Sequence, residues 1–202
     1  MKVLLGISGA SGAVYGVRTL SLLLACGADL HVLVTKTAWG ILAAEVWDGK
    51  LPGGMAARRK GLARLSSSAR PFRLYAEDDF GIPFASGSNA PDAMIVAPCS
   101  MGTLGRIAHG VSSSVLTRCA DVALKERKPL VLVARETPLS VIHLENMLTL
   151  ARAGAHVLPA CPGFYHRPET VSGLVDFVAS RALSCIGVDA GVLPRWGEGK
   201  EE

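Results

Sequence analysis

Lys2-Val3-Leu4-Leu5-Gly6-Ile7-Ser8-Gly9-Ala10-Ser11-Gly12, followed at once by an apolar-periodic stretch over residues 14–24, is the segment on which the fold turns. A short aliphatic strand runs into spaced glycines and then into a helix. Glycine lets the backbone turn tightly and approach a ligand closely. The helix beyond offers unpaired N–H groups and a positive dipole end to an anion. The spacing Gly6, Gly9, Gly12 is not G-x-G-x-x-G, so the dinucleotide fingerprint is not met, and the lysine of a P-loop is missing. Two readings stand side by side: a phosphate- or nucleotide-binding βα unit, or a plain tight turn. Ser8 and Ser11 favour the first, because they add hydroxyl donors to the loop amides.

Beyond this segment, strands of continuous aliphatic character alternate with helical patterns. Residues 28–35 read as a second strand and 36–47 as a helix. Residues 48–70, with Pro52-Gly53-Gly54 and Ser66-Ser67-Ser68, read as loop plus a short helix. A short strand is predicted over 72–75 and a loop over 77–91. Residues 93–97 form a buried strand ending at Pro98-Cys99-Ser100-Met101-Gly102-Thr103. The spacing then predicts a helix over 115–126, a strand over 129–134, and a helix over 138–154 with Gly154 as its C-cap. A strand over 155–159 and an amphipathic helix over 170–186 complete the pattern. This is an α/β chain with an open parallel sheet covered by helices on both faces. Ligands of such sheets sit beyond the carboxyl ends of the strands.

Composition narrows the function. Half of the 202 residues are hydrophobic and 19% are charged, enough for one globular domain with a sizeable core. The mean hydropathy of +0.35 is apolar for a soluble monomer: either the core is large or apolar surface is buried between subunits, and the second reading is favoured. A net charge of +4 suits an ordinary mildly basic enzyme or one with an anionic ligand. Arg58-Arg59-Lys60 is too short a basic run, and too poor in aromatics, to suggest nucleic acid. The five cysteines (Cys26, Cys99, Cys119, Cys161, Cys185) are scattered without C-x-x-C, as in reduced thiols of a cytoplasmic protein. No apolar run approaches the ~20 residues of a membrane span. The five histidines show no H-x-x-x-H spacing, so no metal site is expected, and G-x-S-x-G is absent.

Polar groups cluster at the predicted strand ends. Thr35-Lys36 ends the second strand, Ser100 and Thr103 follow the Met94 strand, and Arg135-Glu136 follows the Leu130 strand. Small hydroxyls with one arginine suit a phosphorylated, planar ligand. Ser100 is equally explicable as a helix N-cap, and Arg135-Glu136 as an internal ion pair. An arginine fork nevertheless matches phosphate oxygens well. Lys125 lies at a charged helix end that the dipole alone explains, but it is also a candidate anion ligand. Glu45, alone in an apolar helix, either belongs to a solvated face or points inward and exchanges protons with a ligand. Tyr165, in the loop Gly163-Phe164-Tyr165-His166-Arg167-Pro168, reads as a loop anchor or a phosphate contact. Arg181, on a mostly apolar helix, requires a partner that an anion would supply.

Six segments, taken in order, resemble the UbiX-type flavin prenyltransferases. They are residues 6–12, 98–103, Ala120-Asp-Val-Ala-Leu-Lys-Glu-Arg127, Arg135-Glu-Thr-Pro138, Pro162-Gly-Phe-Tyr-His166 and Leu193-Pro-Arg-Trp-Gly197. Each is weak alone; the ordered set is specific and spans nearly the whole chain. The resemblance implies a Rossmann-like, flavodoxin-related domain over residues 1–197 with a tail at 198–202, in a homo-oligomer, commonly a dodecamer. It implies metal-independent transfer of the dimethylallyl group of dimethylallyl phosphate to N5 and C6 of reduced FMN. The prenylated FMN is then handed to a UbiD-type decarboxylase.

Carried over by position, FMN contacts fall on Gly9, Ala10, Ser11, Thr35, Ser100, Met101, Gly102, Thr103 and Arg135. Prenyl-phosphate contacts fall on Lys125, Glu136, Tyr165 and Arg181, with Ser11 and Glu45 near the reacting flavin edge. Thr35 replaces a serine common in relatives, and Phe80 stands where some have tryptophan. Trp196 is a candidate to reach a neighbouring subunit. Two other readings share part of this pattern: a flavin-dependent cysteine decarboxylase of the phosphopantothenoylcysteine type, and a non-catalytic flavin carrier. Against the first, Ala97-Pro98-Cys99-Ser100-Met101 replaces its P-A-S-A-N-T-like segment, and the first histidine, His31, falls in a strand.

Overall fold

The opening apolar residues Val3, Leu4, Leu5 and Ile7 are fully buried at the centre of a parallel sheet. The structure is a computed structural model that describes residues 1–193. The motif residues 194–197, Trp196 among them, and the expected tail lie outside the described residues. Strand β1 (Lys2–Ile7) leads into helix α1 (Ala13–Ala25), β2 (Asp29–Val34), α2 (Lys36–Val46), α3 (Gly54–Leu65) and β3 (Arg73–Tyr75). After a loop with two short 3-10 turns come β4 (Ala93–Cys99), α4 (Met101–Ala108), α5 (Val115–Lys125) and β5 (Leu130–Ala134). Helix α6 (Val141–Arg152), β6 (His156–Pro159) and α7 (Val171–Ser184) follow.

All strand pairings are parallel, in the order β3-β2-β1-β4-β5-β6. This is the doubly wound Rossmann order. Leaving out the three-residue edge strand β3, the five longer strands follow the flavodoxin order, so both expected descriptions apply. Side chains alternate across the sheet. Val3, Leu5 and Ile7 face a core with Leu20, Leu23, Leu42, Leu62 and Val178 from α1, α2, α3 and α7. Leu4, Met94 and Val96 face a second core with Leu104, Leu116 and Leu150 from α4, α5 and α6. Helix α1 crosses the sheet at backbone contact: a Cβ on Gly16 would stand 2.5 Å from the carbonyl oxygen of Ala97.

Three elements differ from the sequence expectation. The stretch 48–70 holds α3, a full helix of 12 residues, whose single buried residue is Leu62. Arg58 ties it to α2, its guanidinium lying 4.9 Å over the Trp39 ring. Residues 101–108, expected only as a helix start, form α4. Helix α6 begins at Val141, not at Pro138, because Ser140 caps it: the Ser140 hydroxyl accepts from the His143 amide, and His143 Nδ1 accepts from the Ser140 amide. Gly154 follows that helix at φ +94°, as a glycine C-cap requires. The outward side of α6 carries Val141, Ile142, Leu144 and Leu148, each at least half exposed.

Candidate functional site

Strands β1 and β4 are neighbours whose chains leave toward opposite faces of the sheet, α1 into one core and α4 into the other. A crevice opens at such a switch point, beyond the carboxyl ends of the strands. The loop 8–12, Thr35, residues 100–103 and Arg135-Glu136 all sit at those ends.

The loop after β1 is built from the protein inward. Ser8 is buried; its Oγ donates to the Pro98 carbonyl at 2.9 Å and accepts from the Ser100 amide at 2.8 Å. It ties β1 to β4 and is not the ligand-facing hydroxyl that the sequence suggested. Ser11, by contrast, is exposed. Gly9 presses against α2: a Cβ there would lie 2.5 Å from Thr37 Oγ1. Gly12 adopts φ +100° and starts α1. The Glu45 carboxylate reaches across from α2 and accepts from the amides of Gly12 at 2.9 Å and Ala13 at 2.8 Å. The α1 dipole, read from sequence as open to an anion, is thus closed by the protein's own carboxylate. Glu45 is itself exposed, and its carboxylate turns onto the start of α1.

At the end of β4, Ser100 Oγ accepts from the Thr103 amide at 3.3 Å and donates to Thr103 Oγ1 at 3.0 Å. Ser100 is therefore an N-cap, and it is one at the edge of the crevice. The amides of Met101 and Gly102, at the start of α4, make no hydrogen bond to another described residue. They form the anion-binding helix start that remains open. Thr35 caps α2 in the same manner, accepting from Ala38. Thr35 and Thr103 are buried and line the floor rather than the rim.

Arg135 and Glu136 do not pair with each other. Arg135 Nε donates to the Ser11 carbonyl at 2.9 Å, which fixes the loop after β1 to the end of β5. Glu136 accepts from the Thr137 amide. Both line a small cavity with Met101, Met147 and Cys161. Burial raises the Tyr15 phenol above its ordinary value, with Cys161 adding to the effect and Arg135 opposing it.

The remaining candidates lie elsewhere on the chain. Tyr165 and Arg181 line a cavity of about 440 Å³ with Ser184 and residues 188–193, without Arg135 or the loop 9–12. Lys125 ends α5, which runs against the strand direction, and β5 begins only at Leu130. Its ammonium pairs with Glu126. Five residues of β5 separate that edge from Arg135, about 16 Å at strand rise. One chain therefore gathers Gly9, Ala10, Ser11, Thr35, Glu45, Ser100, Met101, Gly102, Thr103, Arg135 and Glu136 at the strand ends, with Lys125 at the far end of β5 and Tyr165 and Arg181 lining a cavity that does not include Arg135.

Sequence reasoning missed a further cavity of about 420 Å³ beside Thr35, lined by Lys36, Trp39, Met55, Arg58 and Phe80 among others. Phe80 is half exposed there. The Arg58–Trp39 contact that shapes it joins two segments with no common motif. Cys99 and Cys119 are buried, and burial pushes both thiols up to about 12, which makes them packing groups at neutral pH. His31 is buried in β2 against Tyr75 and Phe84. Among the described residues, no group of three or more His, Cys, Asp or Glu is arranged to hold a metal, and no helix is long and apolar enough to cross a membrane.

A doubly wound sheet with an open helix start, hydroxyls and one arginine at its switch point defines a nucleotide- or flavin-binding class of protein. The Flavoprotein family model matches residues 1–183. The chain is 48% identical to the flavin prenyltransferase UbiX of Pseudomonas aeruginosa, covering 98% of this chain and 94% of that one. Its fold matches the crystal structure of AnUbiX (PadA1) in complex with FMN and dimethylallyl pyrophosphate, with a TM-score of 0.84 and 36% identity over 96% of both chains. It also matches a dodecameric FMN-dependent UbiX-like decarboxylase from Escherichia coli O157:H7, with a TM-score of 0.84 and 38% identity over 97% of this chain and 99% of that one. The chain belongs to the Flavoprotein family and, within it, to the UbiX flavin prenyltransferases.

Proposed function

We propose that this chain joins the dimethylallyl group of dimethylallyl phosphate to N5 and C6 of reduced FMN, without a metal ion, and supplies the prenylated FMN to a UbiD-type decarboxylase. The observation that carries the reading is the crevice between β1 and β4. There the loop 9–12, the open amides of α4 and Arg135 converge in a chain 48% identical to a named flavin prenyltransferase.

The donor set fits FMN. The amides of Met101 and Gly102, with Ser100 and Thr103 behind them, suit a phosphate at the start of α4. Gly9, Ala10, Ser11 and Thr35 offer close, uncharged backbone and hydroxyl contacts for the rest of the molecule, and Arg135 adds a fixed cation. Reduced FMN supplies the electron-rich nitrogen and carbon that the allyl group joins. The protein's own part is electrostatic. Breaking the allylic C–O bond leaves its electron pair on phosphate, and Arg181, Lys125 and Tyr165 stabilise that developing anion. Glu136, beside Arg135, belongs to the same substrate side. Glu45, which reaches from α2 onto the start of α1 beside Ser11, is the candidate acceptor of the C6 proton, in competition with the departing phosphate. A site closed to water protects the allylic cation from hydrolysis.

The separation of Arg135 from Lys125 and from the Tyr165–Arg181 cavity supports a site completed between copies of the chain. The exposed apolar side of α6 supports the same reading, because a surface of that kind is normally buried in an assembly. We take the assembly to be a dodecamer in the cytoplasm, with residues 1–197 as one flavin-binding unit. The test is anaerobic incubation with reduced FMN and dimethylallyl phosphate, followed by mass spectrometry of the released flavin. A gain of one dimethylallyl unit is expected; a tightly bound flavin of unchanged mass would overturn the reading in favour of a carrier.

A further inference from the structure

Within the loop 163–168, His166 has a packing that the proposed chemistry does not use. Its ring lies on Phe177 with centroids 5.5 Å apart and planes within 9°. The Tyr165 ring stands edge-on to both, 5.6 Å from His166 and 5.8 Å from Phe177. These are favourable aromatic geometries. The loop is pressed down to allow them: a Cβ on Gly163 would lie 2.9 Å from the Phe177 ring. Phe177 and Arg181 are four residues apart on α7 and so share one face of that helix. Tyr165 lines the same cavity as Arg181. Both imidazole nitrogens of His166 are shut off from solvent and have no hydrogen-bond partner among the described residues.

We propose that His166 is a positioning residue. Stacked on Phe177, it fixes the Tyr165 ring relative to Arg181, so that phenol and guanidinium meet the prenyl donor's phosphate as one preset pair. The inference rests on the assignment of Tyr165 and Arg181 to that phosphate. His166 acts as a flat plate and not through its nitrogens. Those atoms are buried, and His166 is not among the described residues that line the cavity. Preset geometry matters because a misplaced contact weakens binding steeply.

The experiment compares His166→Phe, His166→Leu and Phe177→Leu in the full-length protein. Three readouts are taken: FMN affinity, the KM and kcat for dimethylallyl phosphate, and the rise in Tm that the donor produces in FMN-loaded protein. His166→Leu and Phe177→Leu are expected to raise KM about tenfold and to diminish the donor-induced Tm rise, with FMN affinity unchanged. His166→Phe, which keeps a flat ring, is expected to stay within about twofold of wild type. It should also melt higher, because two unpaired buried polar atoms are removed. Wild-type KM in both leucine variants would overturn the proposal. So would a folded His166→Phe that loses donor affinity as His166→Leu does, since that result would give the nitrogens the role. Wild-type protein that binds the donor but yields no prenylated flavin would defeat the proposed function, while the Tm comparison still decides the role of His166. No donor-induced rise in wild-type protein overturns both.

Discussion

Glu45 holds the start of α1, its carboxylate bonded to the Gly12 amide at 2.9 Å and to the neighbouring Ala13 amide. A negative group at the positive end of a helix is stabilising. One residue thus closes α1 against an external anion and sets a carboxylate beside Ser11 at the crevice. Substitution should separate these roles. Glu45→Ala is expected to cost about 1 kcal/mol, as for other N-caps, and to lower Tm by roughly 2–4 °C. Glu45→Gln retains an acceptor oxygen and should recover most of that loss, yet slow product formation with FMN still bound. Melting curves and single-turnover mass spectrometry read the two effects; wild-type turnover in Glu45→Gln would remove the carboxylate from proton transfer.

Arg135 does two things at once: it bonds the Ser11 carbonyl and brings a guanidinium to the crevice. Arg135→Ala is expected to weaken FMN binding about 100-fold, the scale of a charge-assisted hydrogen bond. Arg135→Lys should recover only part of this, since lysine keeps the charge and loses the fork. Flavin fluorescence quenching on titration gives both affinities.

The cavity shared by Tyr165 and Arg181 contains no part of the loop 9–12. Arg181→Ala and Tyr165→Phe should therefore raise KM for dimethylallyl phosphate and spare FMN affinity. The arginine is expected to matter more, on the order of 100-fold against about tenfold, because it carries the charge. Equal loss of flavin in the two variants would contradict the assignment.

His31 predicts a pH dependence of stability rather than of catalysis. Its imidazole sits in β2, with Nδ1 2.8 Å from the Tyr75 hydroxyl and Nε2 near both Asp29 and Arg73. Burial lowers its pKa below the ordinary 6.5; Asp29 opposes this, and Arg73 and Lys2 reinforce it. A depressed histidine pKa means that, below 6.5, the unfolded chain binds a proton the folded one refuses. This contribution to stability is complete above that value and is lost as pH falls toward the folded pKa. Tm is expected to drop between pH 7 and pH 5, with a smaller drop in His31→Phe. Identical slopes in the two proteins would exclude His31 as the titrating group.

The parallel sheet was legible because β1, β4 and β5 are almost wholly aliphatic, a pattern that only burial on both faces sustains. Helix α3 was not, because Leu62 is its single buried residue and two glycines interrupt its period. The strand-end residues Ser100, Thr103 and Arg135 were legible as a group, since strand direction alone places them at one edge. Ser8 and Ser11 have the same chemistry, and only the path of the chain leaving β1 turns one inward and leaves the other exposed. Glu45 carried no local sign that its partner was the start of α1. Lys125 was identifiable by motif and Arg181 as an arginine on a mostly apolar helix, but neither sign fixes the edge of the sheet on which the residue falls.

That last difference yields the most decisive test. On one chain the Tyr165–Arg181 cavity does not include Arg135, and in a site shared between copies the two are expected to come from different copies. Arg135→Ala and Arg181→Ala proteins should each be inactive at substrate levels that suit wild type. Unfolded together and reassembled, they should form mixed oligomers. With random mixing, roughly a quarter of the shared sites then receive both wild-type arginines, and activity should return to about that fraction. If both arginines served a site within one chain, every chain would carry one defect and mixing would restore nothing. Size-exclusion chromatography of the mixture, with the two variants differently tagged, confirms that they have co-assembled, so that a failure to recover activity counts against sharing and not against assembly.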